Sequence, residues 1–108
     1  MDESWPIVSC YSRTQALADG VLIDISEIAY QSGFRLPTAI TATLNAELGS
    51  EEATLELLYR FLQEIVTRKK FNDEEIVLEN IRDDDAILHI GPGDRGEPVL
   101  TLMRPLDR

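Results

Sequence analysis

Apolar residues recur with a helical period over only one long stretch of this chain. From Glu51 to about Lys69, Leu55, Leu58, Tyr59, Phe61, Leu62, Ile65 and Val66 share one broad stripe, while Glu56, Arg60, Gln63, Glu64 and Thr67 face away. Ser50 precedes this run as a cap, with Glu51 and Glu52 at its positive end and Arg68, Lys69 and Lys70 at its negative end. The pattern predicts the central helix of the protein. The macrodipole accounts for the basic cluster without a phosphate site.

Upstream the apolar positions come in shorter pieces divided by glycine. Ser12 and Gln15 form a capping box that starts a helix over 13–19, which Gly20 ends. Val21, Leu22, Ile23 and Ile25 read as a short strand or extended link. Asp24 or Ser26 caps a second short helix, with Glu27 in its first turn and Gly33 as its stop. Pro37 then suits the first position of a third helix running to about Leu48, in which Ile40, Leu44 and Leu48 recur every four residues before Gly49. The threonines there also permit a strand, but Ala39, Ala42 and Ala46 favour the helix.

Beyond Asn72 the period changes to two. Ile76 to Ile81, Ala86 to Ile90 and Val99 to Met103 are short β-branched runs, separated by Asp83-Asp84-Asp85 and by the loop from Gly91 to Gly96. The expected architecture is an α+β fold of one domain, residues 1–108. A terminal arm (1–10) leads to a helical part (11–70), packed on a three-stranded antiparallel meander (72–105). Leu100 and Leu102 alternate with Val99 and Met103, so both faces of the meander carry apolar side chains. The second face needs a cover, either Trp5, Ile7 and Val8 folded back or the partner of a symmetric homodimer.

The residues between Tyr11 and Pro37 also carry a resemblance. Tyr11, Ser12, Arg13, Gln15, Ala16, Asp19, Gly20, Val21, Leu22, Asp24 and Ser26 are followed by Gly33-Phe34-Arg35 and Pro37. Gly91 to Asp94, Gly96 to Val99, Thr101, Met103 and Pro105 complete the pattern. It is similar to a family of small bacterial proteins encoded largely on plasmids, phages and integrative elements. The likeness covers both ends and leaves about 45–85 unconstrained. It implies a mobile-element setting, and the family supplies no reaction.

Charge narrows the partner class. Ten Lys and Arg stand against twenty Asp and Glu, a formal net charge of −10. Such a chain repels phosphate backbones, so direct nucleic-acid binding is not expected. The absence of a signal peptide and of any long apolar run points to a cytoplasmic protein away from membranes, and the lone Cys10 forms no internal disulfide.

Candidate chemistry is sparse. His89, the only histidine, alternates with Leu88 and Ile90 at strand spacing, and as a general base it would draw on Asp94 and on Ser12 or Cys10. A small hydrolase or transferase built on His89 and Asp94 is therefore the alternative to a non-enzymatic protein. The glycine loop lacks the Lys and Ser or Thr of a phosphate-binding loop and suits a hairpin connection whose tips, Asp94, Arg95 and Glu97, are free to contact a partner. No cofactor motif is present. The oxygens between Asp73 and Asp85 lack the spacing and glycine of a calcium loop.

That run holds seven acids against Arg82, a local net charge of −6. One reading is a solvated sheet edge that charge protects from aggregation. The sharper reading is an acidic mimic, with Asp83, Asp84 and Asp85 directed at a basic, nucleic-acid-handling host protein. Tyr11, Arg13, Asp19, Asp24 and Arg35 form a second candidate contact surface, or the internal charge pairs that fix the short helices.

Overall fold

A computed structural model describes residues 12–68 and 75–107, with Arg68 described by its backbone. In chain order the elements are α1 (Arg13–Ala18), β1 (Leu22–Asp24), α2 (Ser26–Ser32), β2 (Thr38–Thr41), α3 (Ala42–Leu48), α4 (Glu51–Arg68), β3 (Glu75–Ile81), β4 (Asp84–Pro92) and β5 (Pro98–Met103). A single 3₁₀ turn, Pro105–Asp107, follows. The fold is α+β. Tyr11 and the N-terminal apolar residues Trp5, Ile7 and Val8 lie outside the described residues.

The sheet is larger than the expected meander. Its five strands run in the order β1-β2-β5-β4-β3, and β2 pairs with β5 in parallel while every other pairing is antiparallel. The correction comes from Thr38–Thr41, which forms a central strand where the alanine spacing favoured a helix from Pro37. All four of its residues are buried. Between β1 and β5 the strand has a ladder partner on each side, its first N–H goes to the Ser26 hydroxyl, and branched Thr and Ile side chains fit a pleated, enclosed surface. Pro37, which has no N–H to offer, contributes its carbonyl to Leu100 N at 2.9 Å. The helix starts five residues late, at Ala42, with the Thr41 hydroxyl accepting from Leu44 N.

Alternation then sorts the strands into two faces. Ile40, Leu100, Leu102, Leu88 and Ile76 point to one side, where they meet Leu44, Leu58, Phe61, Ala29 and Phe34 from α2, α3, α4 and the loop after α2. Leu58 and Phe61 are fully buried at the centre of this core. Burying side chains of that size removes roughly 1.5–3 kcal/mol each of exposure cost. α4 is thus the core helix that its sequence period predicts.

On the opposite face Ala39, Thr101, Val99 and Ile87 are also buried. The short helix α1 lies on that side, since Ala16, Leu22, Thr41, Thr101 and Met103 line one groove. The second face is therefore not left wholly to a partner subunit. Among the described residues no helix is long and apolar enough to cross a membrane.

The turn between β3 and β4 also departs from expectation. Arg82 and Asp83 hold φ of 58° and 74°, the left-handed pair that a two-residue hairpin turn needs. Asp84 and Asp85 consequently belong to β4 and not to the turn. Asn80, at φ 61°, marks a bulge where the register shifts between Leu78 and Ile81.

Candidate functional site

The two ends of the chain that carry the sequence pattern meet at the start of α1. Ser12 accepts from Gln15 N at 2.9 Å and caps the helix as its position predicts, whereas the Gln15 amide nitrogen is used forward, on Asp19 at 3.0 Å. A second cap arrives from the far end of the sequence. The Asp94 carboxylate accepts from Arg13 N at 2.7 Å, Thr14 N at 3.0 Å and the Thr14 hydroxyl at 2.6 Å. These donors hold the Asp94 carboxyl below its usual range, the Thr14 hydroxyl first, then the two backbone N–H groups.

The loop that presents Asp94 is tied to itself. Gly93 N donates to Glu97 O, Gly96 N to Gly93 O, and Arg95 N to the Glu97 carboxylate at 2.9 Å. A Cβ on Gly93 would collide with that carboxylate, and Gly96 sits at φ 83°, so both glycines are required by the turn. Arg95 and Glu97 remain exposed at its tip.

Arg13 runs from α1 across the sheet. Its guanidinium donates to the Thr101 hydroxyl at 2.9 Å and to Leu100 O at 2.8 Å. Burial lowers its pKa, against the opposing pull of Asp24, Asp94 and Glu97. Asp24 accepts from Ser26 N at 2.9 Å, and this hydrogen bonding, with the Ser26 hydroxyl first, lowers its own pKa. It therefore caps α2 from the residue before Ile25, while the Ser26 hydroxyl accepts from Thr38 N and locks α2 to β2. Arg13, Asp24 and Asp94 are thus brought together as internal ties. Asp19 accepts from the Gln15 side chain at the other end of α1, and Arg35 lies exposed beside Tyr30, Gly33 and Phe34.

Both Asp94 oxygens and the Ser12 hydroxyl are occupied by backbone or threonine donors, and Cys10 lies outside the described residues. His89 pairs across the strands with Thr101 and Glu75, and its ring lies over Gly91, where a Cβ would approach to 2.7 Å. Among the described residues no group of three His, Cys, Asp or Glu side chains converges for a metal.

A second network was not singled out from the sequence. Arg104, with 3% of its side chain exposed, places both Nε and Nη2 at 2.6 Å from one oxygen of Glu47, and donates through Nη1 to Asp85 O at 2.9 Å. Nη2 lacks the alignment of a hydrogen bond and has no other acceptor among the described residues, so the pair is held by charge as much as by geometry. Asp107 closes the network, accepting from Arg104 N and from the Thr41 hydroxyl. The available signal was a single cation ending an apolar strand before Pro105; a residue so placed must find an anion or remain in water.

Of the acidic run, Asp73 and Glu74 lie outside the described residues, Glu75 opens β3 opposite His89, and the other acids gather towards the hairpin tip. Glu79, Asp83 and Asp84 are exposed, and β3 is the outer strand of the sheet. Arg82, the cation of the run, is turned away to donate to Glu47 O at 2.9 Å. Asp85 is half-buried, its N–H bonded to Asp84 and its carbonyl to Arg104, so it belongs to the packing more than to the surface. The chain matches no protein-family model, no curated protein and no solved structure.

Proposed function

We propose that this protein is a non-enzymatic accessory factor that acts by binding another protein, with the β3–β4 hairpin as its contact surface. The observation that carries the reading is the tip itself. Glu79, Asp83 and Asp84 project into solvent with no cation paired to them among the described residues, because Arg82 is engaged with α3. Uncompensated carboxylates on a rigid edge suit a basic groove that ordinarily holds phosphates, and their field speeds encounter with it. The partner class is a basic, nucleic-acid-handling host protein, and the sequence pattern adds a mobile-element setting. The same −10 charge disfavours direct contact with DNA or RNA.

The test is capture from a bacterial lysate by the immobilised protein and by a Glu79→Gln, Asp83→Asn, Asp84→Asn variant. Retention by the wild type should fall steeply towards about 1 M salt, where the screening length is about 3 Å. The variant should retain little at any salt while unfolding at the wild-type urea midpoint. Capture that ignores both salt and the triple substitution refutes the hairpin as the contact surface.

A further inference from the structure

The apolar stripe of α4 is wider than the core it serves. Leu57, Leu58 and Phe61 are buried against the sheet, but the stripe continues around the helix through Leu55, Tyr59, Leu62 and Val66. Leu55 and Leu62 are half-buried; Tyr59 and Val66 are 56% and 67% exposed. Their spacing, i, i+4, i+7 and i+11, is the seam of a helix that packs along a second helix. Beside it lies α2, whose end is pinned where Gly33 faces Leu62, a Cβ on Gly33 standing 3.1 Å from Leu62 Cδ2. Grooves of about 360 and 440 Å³ flank that contact, one against Tyr30 and Arg35, the other along Tyr59 and Val66.

We infer that this seam is the interface of an antiparallel homodimer, the α4 helix of one copy lying along the α4 helix of the other. Charge selects this occupant. The seam carries no acid in a chain with twenty, so it is a place where two copies meet without like charges opposed. The helix is also polar in sequence, with Glu51, Glu52 and Glu56 towards one end and Arg60 and Arg68 against the single acid Glu64 towards the other. An antiparallel pair sets the acidic end of each helix beside the basic end of its partner; a parallel pair would stack like on like. The seam is symmetric about its middle, so a two-fold axis between Tyr59 and Leu62 sets Leu55 opposite Val66 and Tyr59 opposite Leu62 of the second copy.

Sedimentation equilibrium from micromolar to millimolar concentration tests the inference on the wild type and five variants. Tyr59→Glu and Val66→Glu alter exposed seam positions and leave the core alone; Val77→Glu is the control on β3. Glu52→Lys breaks the end-to-end charge match, and adding Arg68→Glu in the same chain restores it in reversed sense. The wild type should dimerise. Each seam variant should raise the dissociation constant at least about tenfold with an unchanged circular dichroism spectrum, Val77→Glu should not, and Arg68→Glu should recover part of the loss caused by Glu52→Lys. A wild type that stays monomeric throughout overturns the inference, including the case in which the seam binds some other protein. A dimer indifferent to Tyr59→Glu and Val66→Glu overturns it as well.

Discussion

Glu47 and Arg104 form an ion pair whose two members sit in unlike surroundings, and that difference predicts unequal costs of removing them. The Arg104 side chain is 3% exposed and that of Glu47 is 46% exposed. Arg104→Leu removes the buried charge, fills the space with carbon and leaves Glu47 free to take up water. It loses two hydrogen bonds, one from Nε to the Glu47 carboxylate, which water replaces, and one from Nη1 to Asp85 O on a half-buried residue. The expected cost is about 1 kcal/mol. Glu47→Ala instead strands a guanidinium that has one carbonyl and no anion. Removing one partner of a fully buried pair costs roughly 3–5 kcal/mol. Because half of Glu47 already faces solvent, water enters its place, and the expected cost falls to about 2–3 kcal/mol.

In a domain of this size each kcal/mol moves the midpoint by about 4–8 °C, so thermal unfolding followed by circular dichroism separates the two variants. The double substitution should unfold close to Arg104→Leu, giving a coupling of about 2–3 kcal/mol in the cycle. Glu47→Ala as mild as Arg104→Leu, or a double variant equal to the sum of the singles, would refute the reasoning.

The remaining predictions concern the core, the caps and His89. Leu58→Ala should cost roughly 2–5 kcal/mol in urea unfolding, and Leu62→Ala clearly less, because Leu58 is fully buried and Leu62 only half; equal losses would move the core away from the Leu58 side of α4. Asp94 and Asp24 have folded pKa values below the usual carboxylate value, so their contribution is complete above about pH 4 and is lost as pH falls through the depressed values. The gap in urea midpoint between wild type and Asp94→Asn should therefore be constant from neutral pH down to about 5 and close below 4; a gap that widens in acid contradicts the assignment. His89→Ala should leave a broad hydrolase panel unchanged from wild type, and turnover that this substitution abolishes would reinstate the enzymatic reading.

What the linear sequence determined, it determined through local chemistry. The stripe from Leu55 to Val66 predicts α4, Ser12 and Gly33 mark helix ends where the structure has them, and the alternation after Asn72 yields three strands in their expected places. Each of these depends on residues a few positions apart, whose periods and caps act within one element. Tertiary structure decided the rest. Thr38–Thr41 carries helix-forming alanine and a favourable Pro37, yet the open place between β1 and β5 turns it into the central strand, because enclosed ladder bonds and full burial outweigh a propensity difference of tenths of a kcal/mol per residue. Asp94 becomes the cap of a helix eighty residues upstream, and Arg104 finds Glu47 across fifty-seven. No spacing rule connects such residues. Only closure of the sheet brings their charges within reach, and burial then makes an unpaired partner costly.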